Sequence, residues 1–171
     1  MRLFFALWPP AETARGLWEW ASAVRKQAGG NTTAEETIHL TLAFLGDADP
    51  VKATAAARPI RAKSFDLPID ASQYWRHNRI VWVGPQTTPL ELDVLVRQLH
   101  QSLRTASFFL EDRPFAAHIT LIRKAAPPDS LPALPRVTWP VREFVLVRSV
   151  PRQGGSRYEV MERFPLGELP R

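Results

Sequence analysis

The chain contains no cysteine. That absence removes disulfides, thiol nucleophiles and cysteine-ligated zinc together, and it agrees with a cytoplasmic setting. Histidine is almost as scarce, at four residues in 171, and no His-x-x-x-His or carboxylate–histidine cluster is present. A catalytic zinc needs about three protein ligands, so neither a metal nor another cofactor is expected. Long hydrophobic runs are missing too. The N-terminal apolar stretch, Leu3 to Trp8, is far too short for a membrane span or a signal segment, so no membrane association is expected. No Gly-x-Gly-x-x-Gly follows any strand-like stretch, which argues against a doubly wound dinucleotide-binding domain.

What is present is an ordinary globular composition, 45% hydrophobic and 23% charged. The length suits one domain, or two half-domain lobes sharing a core, and nothing demands more than a monomer. Lys plus Arg number 22 against 17 Asp plus Glu, a net charge of +5 that accommodates a phosphate-bearing partner without requiring one.

Along the chain, Arg2 to Trp8 reads as a buried strand that stops at Pro9-Pro10. Pro10 then suits the first turn of a helix carrying Ala14, Leu17, Trp18, Ala21 and Val24, closed by Gly29-Gly30. A polar stretch, Asn31 to Thr37, leads into the strand Ile38 to Leu45. There Ile38, Leu40, Leu42 and Phe44 alternate with His39, Thr41 and Ala43. Asp49-Pro50 caps an Ala-rich helix running to about Ile60. A strand around Phe65 to Ala71 and a hairpin about Arg76-His77-Asn78-Arg79 follow. Thr88-Pro89-Leu90-Glu91 reads as a capping box with proline at the first helical position. Its helix bears Leu92, Leu95, Val96, Leu99 and Leu103 on one stripe. The strand Ala117 to Arg123, a proline-rich loop from Ala125 to Pro135, and two strands joined at Pro151 to Gly155 complete the chain.

The element order strand, long helix, His-bearing strand therefore occurs twice. The expected fold is α+β and bilobal: two pseudo-symmetric lobes of mostly antiparallel sheet, with helices on the outer faces and a central cleft, in a single domain spanning 1–171.

Two of the four histidines share one local pattern, His39-Leu-Thr-Leu42 and His118-Ile-Thr-Leu121. In a strand, residues i and i+2 project from one face about 7 Å apart, so an imidazole and a hydroxyl address one small group. Two such strands facing each other converge two imidazoles and two hydroxyls on one cavity. Phosphodiester cleavage without a metal uses that set. A neutral imidazole takes a proton from the nucleophile, a protonated one gives a proton to the leaving oxygen, and hydroxyls bond the nonbridging oxygens. Local chemistry does not say which histidine is which. Arg123, five residues after His118, lies on the opposite face of a regular strand, and only a strand end or bulge near Ile122 returns it to the phosphate. His77 and His100 are expected in solvated surface roles. Trp8, Trp75 and Trp82 lie at strand ends or hairpins, with core packing as the default and base stacking as the alternative.

The paired motifs resemble those of the two-histidine phosphoesterase superfamily, most closely its RNA 2′,3′-cyclic phosphodiesterase branch, historically called 2′-5′ RNA ligase. The resemblance covers nearly the whole chain. It includes the opening Arg2-Leu-Phe-Phe-Ala-Leu, the Phe-Leu-Gly tail ending at Gly46, Arg123 after the second motif, and the closing Phe144-x-Leu-x-x-Ser149 with Gly155 and Tyr158. It implies a bilobal fold with a water-filled cleft and metal-independent hydrolysis of a 2′,3′-cyclic phosphate to a 2′-phosphate. Carried over, it makes His39 the proton donor to the departing 3′-oxygen and His118 the proton acceptor on water. Thr41, Thr120 and Arg123 become substrate-binding residues. The partners it implies are RNA with 2′,3′-cyclic phosphate ends or cyclic nucleotides, with reverse 2′-5′ ligation at the same site. Two alternatives stand beside this: the same chemistry on a small nucleotide such as an ADP-ribose cyclic phosphate, and an RNA-end or nucleotide binding module without turnover.

Overall fold

The computed structural model describes residues 1–167; the last four positions of the expected domain, 168–171, lie outside the described residues. The chain runs β1 (Arg2–Leu7), α1 (Ala11–Ala28), β2 (Asn31–Thr32), a 3-10 turn (Glu35–Thr37), β3 (Leu40–Asp47), α2 (Pro50–Ala57), β4 (Phe65–Ile69) and β5 (Ala71–Trp75). It continues through β6 (Ile80–Gly84), α3 (Leu90–Thr105), β7 (Ile119–Arg123), β8 (Val137–Val141), β9 (Glu143–Arg152) and β10 (Gly155–Pro165). One four-stranded sheet has the order β10-β9-β1-β3, a second has β2-β7-β6-β5, and β4 pairs with β8 as a separate ribbon. The strand pairs are antiparallel. The fold is the expected α+β arrangement of two lobes.

The helices cross between lobes. α1, which follows β1 of the first sheet, packs against β2 and β7 of the second. α3, which follows β6 of the second sheet, packs against β3 of the first and against α2. Their apolar stripes join the inward residues of both sheets, so that Leu3, Phe5 and Leu7 share one core with Leu17, Val81, Leu95 and Leu121. Among the described residues, no helix is long and apolar enough to cross a membrane.

Several local expectations shift. Trp20, not Trp18, completes the buried stripe of α1: Trp20 is 6% exposed and its indole N–H donates to the Pro132 carbonyl at 3.1 Å. Trp18 remains partly exposed beneath the Arg15 guanidinium, 5.3 Å from its ring centroid. Pro10 and Pro89 stand at the caps of α1 and α3 rather than inside them, and neither cap uses a side chain. Their carbonyls begin the helical ladder instead, accepting from Ala14 and Asp93 at 3.0 and 3.1 Å. Asp49 caps α2 as expected, its carboxylate accepting from the Val51 N–H at 2.9 Å. Asn31 and Thr32 are not merely a connector; they form a short edge strand on β7, opposite Arg123 and Ile122.

Candidate active site

Each motif strand carries a bulge just after its threonine. Between β1 and β3 the register passes from Ala6 opposite Thr41 to Phe5 opposite Ala43, so Leu42 is the extra residue. Leu42 and Ala43 consequently both turn into the core, and Phe44 returns to the cleft face, 53% exposed. This overturns the expectation that Phe44 joins the apolar face of Ile38, Leu40 and Leu42. Between β6 and β7 the register passes from Trp82 opposite Thr120 to Val81 opposite Ile122, leaving Leu121 as the extra residue. Leu121 and Ile122 are both buried, and Arg123 swings to the face of His118 and Thr120. Ile122 therefore does not share the histidine face, as simple alternation would have it. Phe44 and Arg123 occupy equivalent positions in the two lobes.

The carbonyls freed by these bulges are both satisfied. The His100 ring Nε2 donates to the Leu42 carbonyl at 2.8 Å. The Thr33 backbone N–H donates to the Leu121 carbonyl at 2.8 Å, and the Thr33 hydroxyl donates to the Thr120 carbonyl at 2.9 Å. His100 is thus a half-buried brace rather than a solvated residue, whereas His77 is exposed as expected.

His39 and His118 each precede the first residue of their strands. The Nδ1–H of His39 donates to the Thr37 carbonyl at 2.6 Å, and that of His118 to the Ala116 carbonyl at 2.8 Å. Because a carbonyl only accepts, the proton is fixed on Nδ1 in both rings, which leaves Nε2 for chemistry. The Nε2 of His39 lies 3.1 Å from the Thr41 hydroxyl. Both histidines, Thr41, Thr120 and Arg123 line one cavity of about 520 Å³. The structure therefore brings together all five residues singled out from the sequence.

Aromatic rings wall both histidines. Trp8 stacks on His39 with centroids 4.9 Å apart, Phe4 lies at 5.0 Å, and Tyr158 meets it edge-on at 5.5 Å. Trp75 lies 4.8 Å from the His118 ring, with Trp82 at 6.1 Å. The tryptophans flagged in the sequence thus enclose the imidazoles. This packing costs the charged rings their hydration: burial lowers His39 from 6.5 to about 4, and burial lowers His118 as well. The positive Arg123 pushes both in the same direction. Among the described residues, no group of three or more His, Asp or Glu stands where it would hold a metal ion.

The sequence profile described as LigT like phosphoesterase matches residues 7–82. The RNA 2′,3′-cyclic phosphodiesterase of Escherichia coli (strain K12) is 35% identical over 170 residues, covering 96% of this chain and 96% of the relative. The chain belongs to the LigT-like phosphoesterase family. A relative of the same name from Thermus thermophilus is 31% identical, covering 97% of this chain and 90% of its own. A crystal structure of E. coli LigT complexed with 3′-AMP superposes with a TM-score of 0.91 at 33% identity, covering 98% of each chain. The same protein complexed with NADP⁺ gives 0.84 at 33% identity, again over 98% of each chain.

Within this family member, the cavity residues that sequence reasoning did not single out include Phe44, Thr33, Asn78 and Arg152. Phe44 carried a misleading signal, since its position in the alternation pointed inward. The other three carried no signal: Thr33 and Asn78 reach the cleft from short connecting segments, and Arg152 from the last position of β9, where alternation ends.

Proposed function

We propose that this protein hydrolyses the 2′,3′-cyclic phosphate ends of RNA to 2′-phosphomonoesters, without a metal ion, and that His39, His118, Thr41, Thr120 and Arg123 carry the reaction. The observation that carries the reading is the matched pair of imidazoles. Each has Nδ1 pinned to a backbone carbonyl, and both line a cavity with two hydroxyls and a guanidinium. Membership of a family whose relatives are named RNA 2′,3′-cyclic phosphodiesterase supports it.

In the step, the neutral Nε2 of His118 takes a proton from water as the water oxygen bonds to phosphorus. The bond from phosphorus to O3′ breaks, and the protonated Nε2 of His39 delivers its proton to O3′. The product is a 2′-phosphate with a free 3′-hydroxyl, and the two rings have exchanged protonation states. The resemblance assigns donor and acceptor; the fixed Nδ1 protons support either ring in either role. Arg123 and the threonine hydroxyls supply charge and donors to the nonbridging oxygens, where negative charge grows in the transition state. The exposed ring of Phe44, with the Arg2 guanidinium 5.5 Å from its centroid, offers a face on which a base can stack.

Cytoplasmic residence and a monomeric state belong to the same proposal, the former supported by the absence of cysteine. Incubation with 2′,3′-cyclic nucleotides, an ADP-ribose cyclic phosphate and a short RNA ending in a cyclic phosphate, all in EDTA, tests the reading. The expected product is the 2′-phosphomonoester, with a loss of about 10²–10⁴ on replacing either His39 or His118 by alanine. Tight, salt-sensitive binding with no product would establish a binding module instead.

A further inference from the structure

The catalytic pair opens into two arms of the cleft, not one. Both arms begin at His39, Thr41 and Arg123. One, about 400 Å³, runs past Phe4 to Phe44 and Arg2. The other runs to Asn31, Thr32, Asn78 and Arg152. The β9–β10 hairpin stands between them, with Ser149 and Pro151 lining the first arm and Arg152 with Gly154 and Gly155 lining the second.

The chemistry of the arms differs. The first offers an aromatic face and suits a base. The second offers amides, hydroxyls and a guanidinium, and no aspartate or glutamate is among its described lining residues. Arg152 is exposed and, among the described residues, has no carboxylate within ion-pair distance. Its hairpin neighbours contrast with it: Arg148 and Arg157 both pair with Glu159, at 3.9 and 2.8 Å. An uncommitted guanidinium among neutral donors is a site for a phosphate oxygen.

A cyclic phosphate at the end of a strand carries two substituents that diverge from its ribose: the base on C1′ and the phosphodiester on C5′. A free 2′,3′-cyclic nucleoside monophosphate has only the first. We propose that the second arm, with Arg152 as its anion-binding residue, holds the 5′ phosphodiester of the terminal nucleotide, so that the protein selects the end of an RNA strand over a free cyclic nucleotide. This rests on the cyclic phosphodiesterase reading above.

The test compares kcat/KM on three substrates in EDTA: 2′,3′-cyclic AMP, the same nucleotide bearing a 5′-phosphate, and the dinucleotide ApA ending in a 2′,3′-cyclic phosphate. The expected result is an advantage of about tenfold or more for the two substrates with a 5′ phosphoryl group, expressed in KM and weakened by salt. An advantage for the dinucleotide alone would place the preference in the second nucleoside and overturn the assignment to Arg152. In Arg152→Gln, the ratio between the dinucleotide and cyclic AMP should fall toward one. Equal rates on all three substrates, or an Arg152→Gln variant that loses the same factor on each, overturns this proposal alone. Hydrolysis of none of them removes the underlying reading and this proposal with it.

Discussion

The indole of Trp8 lies flat against the imidazole of His39, with ring centroids 4.9 Å apart and planes inclined by 8°. The two side chains come from adjacent strands, β1 delivering Trp8 just beyond its last residue and β3 delivering His39 just before its first. A face-to-face contact of this kind fixes the second side-chain torsion of the imidazole, and with it the direction of Nε2.

Trp8 is therefore expected to act through His39 without touching substrate. Trp8→Ala should lower kcat about tenfold with little change in KM, and Trp8→Phe should recover most of the loss. Steady-state kinetics on a cyclic phosphate reads both numbers. A Trp8→Ala enzyme with wild-type kcat would show that the ring stands correctly without its indole wall.

The pH dependence follows from the lowered basicity of both rings. The proposed step needs one imidazole neutral and one protonated, and in the free protein both titrate below 6.5, with His39 at about 4. The profile of kcat/KM should therefore peak below pH 6.5 and fall on both sides. An anionic phosphate in the cleft favours the imidazolium, so the alkaline limb of kcat should lie at higher pH than that of kcat/KM. Superimposable profiles, or a kcat/KM still rising at pH 8, would contradict this. Stability carries the same sign. The folded value of His39 is below the unfolded one, so folding favours the neutral ring; that contribution is intact above pH 6.5 and is lost as pH falls toward 4. In His39→Gln, the drop in Tm between pH 7 and pH 4 should be smaller.

His100 holds the carbonyl that the β3 bulge frees. His100→Leu leaves that oxygen without its donor and is expected to cost about 1–3 kcal/mol of stability by urea unfolding. It should also lower kcat, because Leu42 lies between Thr41 and Phe44. Restored stability and activity in His100→Gln, whose amide can also donate, would separate the hydrogen bond from simple volume.

Gly30 fixes the approach of the α1 end to β7. Its φ is +85°, and a Cβ there would sit 2.5 Å from the Arg123 carbonyl oxygen and 2.9 Å from a methyl carbon of Ile122. Gly30→Ala is expected to cost about 2 kcal/mol or more and to reduce activity through Arg123. Gly154→Ala is the control. Its φ is +83° with nothing within 4 Å, so it should show only the backbone penalty, on the order of 1 kcal/mol. Equal losses in the two variants would remove the steric part of the argument.

Much of this was legible from the residues because the site is written twice. His39 with Thr41 and His118 with Thr120 sit in strands whose first turns of alternation are regular, so their faces follow from a period of two. Beyond the threonines that period fails. A single extra residue, Leu42 or Leu121, reverses the side chains that follow it, in β3 until a second register shift at Leu45, and nothing in an apolar run such as Leu42-Ala43-Phe44 marks where the insertion falls. Phe44 faces the cleft against its place in the alternation for this reason, and Arg123 reaches the histidine face only through the bulge. Trp18 and Trp20 both lie close to the helical stripe through Leu17 and Ala21, and the choice between them depends on Pro132, more than a hundred residues away. Thr33 and Asn78 reach the cleft from segments too short to carry any period.

The exchange of long helices between sheets has a mechanical consequence. Cutting the chain between β3 and β4 would part α1 from β7 and α3 from β3, so each fragment would lose a strand on which its long helix rests. Opposite walls of the groove are thus clamped by each other's buttresses, and hinge-like opening about a midline would have to peel a greasy stripe away from its seat.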